Sequence, residues 1–220
     1  MQTIEQTGDG SITIRNTGSG VTYHSVHGAI SESMHVFINA GLDFLAKTKT
    51  SISILELGFG TGLNALLTYR YSVEKSLSIC YEAFELFPLK LELVEQLNYC
   101  SLDNLKSCTS VFNEMHKADW GRVRVFGKNF ELKKRNEDII EAELNNNFDL
   151  IYFDAFDPVH QPQLWTESVF RKIYNASNEH AVLVTYSSKG DVRRALTAAG
   201  FTVEKLKGAP GKREMLRALK

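Results

Sequence analysis

The chain lacks the features that would stabilise a small secreted domain or hold a protein in lipid. Its 220 residues contain three cysteines, Cys80, Cys100 and Cys108, odd in number and with no C-x-x-C spacing. Neither a disulfide framework nor a zinc site follows from that set. The N-terminus has no basic segment followed by an apolar core, so no signal peptide is visible. No apolar run approaches the ~18 residues that a membrane span needs. His24-x-x-His27 and His35 are not accompanied by a carboxylate or cysteine ligand pattern, so no metal is expected. Internal repeats are absent. The formal net charge of −1 argues against indiscriminate polyanion binding, although a local basic face would suffice for a nucleic acid. A reduced, cytoplasmic protein is the simplest reading of these absences.

The most informative stretch present is Ile54-Leu55-Glu56-Leu57-Gly58-Phe59-Gly60-Thr61-Gly62-Leu63-Asn64. An apolar β-type run ends in alternating glycines and enters a helix-like segment. Gly58, Gly60 and Gly62 allow a sharp turn and a close approach to a ligand. A dinucleotide loop, G-x-G-x-x-G/A, would need a small residue at Leu63, and the register here is E-x-G-x-G-x-G. A carboxylate at Glu56 would repel a pyrophosphate and suits a cation. S-adenosylmethionine, with a sulfonium, an ammonium and no phosphate, fits that requirement.

From Ser51 onward strand and helix patterns alternate. Strands are predicted at 52–57, 77–84, 122–126, 149–154, 180–186, 201–206 and 213–219, with helices around 62–71, 88–98, 109–118, 165–175 and 190–199. This is an α/β pattern with a mostly parallel seven-stranded sheet covered on both faces. Residues 207–212 are too few for a parallel crossover, so the last two strands should form an antiparallel hairpin. Ahead of this 51–220 domain, residues 1–50 read as an extension. It has a hairpin over 10–25, turning at Thr17-Gly18-Ser19-Gly20, and a helix over 32–47. It could serve as a lid or face a substrate. Residues 128–147 are the most polar stretch and read as an exposed helix and loop.

Ligands of open parallel sheets bind beyond the carboxyl ends of the strands. There, after the second strand, Glu85 is preferred to Glu82 as a carboxylate for ribose hydroxyls. After the fourth strand Asp154 follows a buried run and could accept a proton or orient an amine. Phe156 and Trp165 offer planes for stacking on a base. Residues 189–220 hold nine lysines and arginines against three acidic residues, a net +6, which points to a phosphate-facing side.

Together these segments resemble one family: the methyltransferase half of the bifunctional tRNA modification protein MnmC and its stand-alone form, MnmD. The carrying stretches are Tyr23-His24-Ser25, Glu32-Ser33-Met34-His35-Val36-Phe37, Glu56 to Asn64, Phe84-Glu85-Leu86-Phe87-Pro88-Leu89, Phe153-Asp154-Ala155-Phe156-Asp157-Pro158 with Trp165-Thr166, Thr185-Tyr186-Ser187, and Lys212-Arg213-Glu214-Met215-Leu216. The resemblance implies a Rossmann-like class I fold and S-adenosylmethionine as cofactor. It implies methylation of the aminomethyl nitrogen of 5-aminomethyl-2-thiouridine at the tRNA wobble position, without the FAD-dependent half. A functional link to a separate FAD-dependent oxidoreductase, or to the enzymes that make the aminomethyl group, follows from it.

Under this resemblance Asp154 is the catalytic residue. Glu56, Gly58, Gly60, Gly62, Asn64 and Glu85 face the cofactor. The family's acidic residue after the third strand's glycine is replaced by Lys128, so Gly127 and Asn129 stand at the adenine. Tyr23, Phe156 or Trp165 would stack on a splayed base of the anticodon loop. Lys212 and Arg213 would hold backbone phosphates. The rivals are a transferase acting on a small amine, as in polyamine synthesis, a non-catalytic RNA- or protein-binding module, and an NAD-dependent reductase, the last disfavoured by the loop register.

Overall fold

The computed structural model describes residues 2–220, the side chains of Asp103 and Asn104 excepted. Five parallel strands form the middle of one sheet: β3 (Ser51–Leu57), β4 (Ser78–Phe84), β6 (Phe130–Arg135), β7 (Phe148–Phe153) and β8 (Ser177–Thr185). At one edge β5 (Val123–Phe126) pairs antiparallel with β6. At the other, β10 (Glu214–Leu219) inserts antiparallel between β8 and β9 (Thr202–Lys207). The order is β5-β6-β4-β3-β7-β8-β10-β9, eight strands where seven are predicted.

The extra strand is β6, in the segment expected to be an exposed helix and loop. Phe130, Leu132 and Lys134 are buried at alternate positions, and β6 lies parallel to β4 with Phe130 opposite Ile79 and Arg135 opposite Phe84. Its charged residues hide that period of two. The buried lysine is held by its surroundings: Nζ donates to the His116 carbonyl at 2.8 Å and lies 4.6 Å from the Trp120 ring centre. Burial lowers its pKa to about 8.

Strand alternation sends Ile52 and Ile54 into one apolar layer and Leu55 and Leu57 into the other. The first layer lies under α3 (Leu63–Lys75) and a rod made of α1 (Ala29–Ser33), a π-helical stretch (Met34–Leu42) and α2 (Asp43–Ala46). Gly41 permits that rod to lie close to the sheet, since a Cβ there would stand 3.0 Å from Val184 and 3.1 Å from Leu150. The second layer lies under α6 (Glu167–Asn175) and α7 (Gly190–Ala199).

Two local expectations shift. The N-terminal hairpin pairs β1 (Gln2–Gln6) with β2 (Ile12–Asn16), and the return after residue 20 contributes one bridge, Arg15 to Thr22. Where a long helix over 88–98 is predicted, α4 (Leu91–Val94) makes a single turn. Asn98 is drawn out to the N-terminal hairpin instead: it accepts from the Ile12 amide at 2.8 Å and donates to the Gly10 carbonyl at 2.9 Å. A remaining helix, α5 (Thr109–Lys117), packs Phe112 and Met115 inward. No helix of the described residues is long and apolar enough to cross a membrane.

Candidate active site

The sheet runs outward from β3 in two directions, through β4 on one side and β7 on the other. A crevice therefore opens at the carboxyl ends of β3 and β7. It is a cavity of about 540 Å³, walled by the glycine turn, the ends of β4, β6 and β7, and residues 19–26 of the N-terminal segment.

The turn is fixed by backbone constraints. Gly58 has φ +91, and a Cβ there would meet the Asp154 carbonyl oxygen at 2.7 Å. The amides of Gly58 and Phe59 both donate to the Phe84 carbonyl, at 2.9 and 3.1 Å, tying the turn to the end of β4. Glu85, just beyond β4, accepts from the Gly60 amide at 3.0 Å with one carboxylate oxygen and from the Phe87 amide at 2.9 Å with the other. Burial raises its pKa while those two bonds oppose the rise. Each oxygen keeps lone-pair capacity for a further donor. Glu82, the alternative to Glu85, is turned away and consumed by Arg135 at 3.1 Å and Asn146 at 2.8 Å.

Asp154 follows β7 directly, its amide donating to the Leu57 carbonyl at 3.0 Å. Its carboxylate accepts from Asn64 Nδ2 at 2.8 Å, and the same nitrogen donates to Glu56 at 3.0 Å. Asn64 and Asp154 line the cavity, whereas Glu56 is fully buried behind them. Burial raises the pKa of both carboxyls well above the usual range. For Glu56 the charge of Asp154 adds to the rise; for Asp154 the nearby Glu32 adds and Lys212 opposes.

Part of the cavity wall is aromatic. The Tyr23 and Phe156 rings meet edge to face with centroids 5.0 Å apart, both bordering the cavity. Tyr186 borders it as well, its hydroxyl donating to the Ala155 carbonyl at 2.8 Å. Lys212 lies over the Tyr186 ring at 4.0 Å and pairs at 2.5 Å with Glu32, whose other oxygen accepts from the Ser25 amide at 2.8 Å. Lys212 is therefore a residue of the cavity wall, held by Glu32 and Tyr186, rather than a free surface cation. Arg213, the next residue, is exposed.

Three other expected site residues lie elsewhere. Gly127 and Asn129 form the turn between β5 and β6, at the amino end of β6 and hence at the far end of the sheet from the cavity. The strand that reaches the site is β6, and Glu137 and Asp138, just beyond it, line the cavity. These carboxylates stand where an acidic residue is expected after the third strand. The alternation Phe130-x-Leu132-x-Lys134 was the signal that locates them. Trp165 is a core residue: it is 6% exposed, packs on Phe153 at 4.7 Å between ring centres, and donates to the Phe156 carbonyl at 2.8 Å. Among the described residues no group of three histidine, cysteine or acidic side chains converges as a metal site would require.

Residues 111–220 match the S-adenosyl-L-methionine-dependent methyltransferase family. The crystal structure of MnmC2 from Aquifex aeolicus superposes with a TM-score of 0.84 at 30% identity, covering 99% of this chain and 70% of that one. The chain belongs to the S-adenosyl-L-methionine-dependent methyltransferases. This methyltransferase is also 32% identical over 223 residues to the tRNA 5-methylaminomethyl-2-thiouridine biosynthesis bifunctional protein MnmC of Burkholderia multivorans. That alignment covers 93% of the chain but 33% of the relative, so the chain spans about a third of its length. Spermidine synthase from Thermotoga maritima shares the fold alone, with a TM-score of 0.57 at 12% identity over 100% of this chain and 79% of that one.

The residues present fit the cofactor. Asn64 Oδ1 is a buried acceptor without a protein partner, on the cavity wall beside the Asp154 carboxylate. An acceptor-rich floor under a glycine turn suits the ammonium and sulfonium of S-adenosylmethionine and repels a polyphosphate.

Proposed function

We propose that this methyltransferase transfers a methyl group to the aminomethyl nitrogen of 5-aminomethyl-2-thiouridine at the wobble position of tRNA. The observation that carries the proposal is Asp154, presented by Asn64 into the cavity that the Tyr23–Phe156 pair also lines. The likeness to MnmC2 and to the MnmC protein supports the choice of substrate.

Bound S-adenosylmethionine supplies an electrophilic methyl on a sulfonium. Glu85 is suited to its ribose hydroxyls, and Glu137 and Asp138 to the adenine side. The nucleophile must be an unprotonated amine. Asp154 accepts a hydrogen bond from that amine, aims its lone pair, and takes up or relays the proton that the new ammonium releases. Its raised pKa suits a proton acceptor. Alignment of amine and methyl accounts for much of the rate, worth about 7–11 kcal/mol where reactants are fully pre-aligned. Phe156 and Tyr23 hold the extruded base, and exposed Arg213 meets a backbone phosphate. The amine would be made by a separate activity, an FAD-dependent oxidoreductase or another enzyme forming the aminomethyl group.

The test is transfer of labelled methyl to tRNA carrying 5-aminomethyl-2-thiouridine, with Asp154→Asn alongside. Label in the wobble nucleoside, lost in the variant while cofactor affinity persists, is expected. Cofactor binding without transfer to tRNA, but with transfer to a free small amine, would overturn the substrate assignment.

A further inference from the structure

A carboxamide nitrogen carries two hydrogens, and in Asn64 both are committed to carboxylates. One goes to Asp154 at 2.8 Å and the other to Glu56 at 3.0 Å. Two flanking acceptors decide which end of the amide is nitrogen, so the side chain has one orientation. Asn64 stands at the start of α3, where the helix backbone holds it rigidly. Glu56 is fully buried and does not border the cavity, while Asn64 and Asp154 do.

We infer that Asn64 is a positioning residue for Asp154, and that Glu56 is the buried anchor that orients the Asn64 amide rather than a ligand of the cofactor. The inference rests on the reading of Asp154 as the group that holds the amine. Among the described residues no other side-chain donor is hydrogen-bonded to the Asp154 carboxylate, so Asn64 fixes Oδ2 and leaves Oδ1 for the substrate nitrogen. The charges facing Asp154 come from several elements: Glu32 on α1, Lys212 before β10, and Glu56 on β3. Tyr186, after β8, and Tyr81, on β4, face the same cluster. A donated N–H favours the ionised carboxylate. Asn64 thus works with Lys212 against burial and Glu32.

The test follows the carboxyl carbon of Asp154 by NMR through a pH titration of the full chain, its signal identified by loss in Asp154→Asn. Calorimetry with S-adenosylmethionine runs in parallel. Asn64→Leu is expected to move the Asp154 midpoint upward by about one pH unit. Glu56→Leu should move it in the same direction. Glu56→Gln keeps a carbonyl acceptor for Asn64, so the midpoint should stay near the wild-type value and cofactor Kd within about threefold. An unmoved midpoint in Asn64→Leu, or a tenfold or greater loss of cofactor affinity in Glu56→Gln, would overturn the inference. Both readouts are obtained without turnover, so a failure of the tRNA assignment would show separately, as absent methyl transfer by the wild type.

Discussion

Replacing Trp165 separates a core role from a base-stacking role. The indole is 6% exposed, lies against Phe153, Phe170 and Tyr186, and donates to the Phe156 carbonyl at 2.8 Å. Trp165→Ala should cost about 3–5 kcal/mol, the usual range for emptying a buried aromatic site. Trp165→Phe keeps most of the ring volume but deletes the hydrogen bond and leaves a smaller void, so about 2 kcal/mol is expected. For a chain of this length each kcal/mol shifts Tm by roughly 2–4 °C, giving a fall of about 4–8 °C for Trp165→Phe. Calorimetry measures that shift, and KM for tRNA is then taken well below the new Tm. A core tryptophan leaves KM within a few-fold, since it reaches the cavity through the Phe156 carbonyl. Trp165→Phe with an unchanged Tm and a KM raised tenfold or more would refute the reasoning and restore a stacking role.

Four further outcomes are expected. Gly58→Ala strains a φ of +91 and drives a methyl to 2.7 Å from the Asp154 carbonyl, so cofactor Kd should rise by tenfold or more, read by calorimetry. His24 is buried and His116 half-buried, and desolvation lowers the pKa of each to about 4. The unfolded chain therefore binds more protons between pH 6.5 and 4. Their stability contribution is complete above about 6.5 and is lost as pH falls toward 4, up to roughly 3 kcal/mol each. Urea midpoints should drop across that window, and less steeply in His116→Gln. Lys212→Met unpairs a buried Glu32, and with Lys212 itself one-third exposed a cost of about 1–2 kcal/mol is expected. Arg213→Ala instead reduces the log–log salt slope of tRNA binding by about one while sparing stability, measured by filter binding across salt concentrations.

The glycine turn and its flanking strand were legible because their signals are local: an apolar run, positive-φ glycines, then helix-forming residues. Glu85 was legible from the strand-end rule, and the C-terminal hairpin from a connection too short for a crossover. The failures share a cause as well. The strand β6 is disguised because its outward positions carry Glu131 and Lys133 and one inward position carries Lys134, whose charge is met by aromatic faces no local pattern reveals. Missing it shifted the third strand of the frame by a hairpin and put Gly127 and Asn129 at the wrong end of the sheet. Lys212 read as a surface cation because its partner, Glu32, lies 180 residues away in sequence. Trp165 read as a stacking plane because its contacts on Phe153, Phe170 and Tyr186 form only in the folded layer.

The Lys212–Glu32 pair also sets an order of assembly. Lys212 is the last of the cavity residues to be synthesised, and it lies just before β10, the strand between β8 and β9. β10 pairs with β9 through a short connection and with β8 across the sheet, and contacts of such long sequence separation as Lys212 to Glu32 form slowly. The wall that would meet the amine therefore joins two segments far apart in the chain, residues 19–32 and Lys212. A nascent chain can possess the glycine turn and Asp154 long before it possesses a finished pocket.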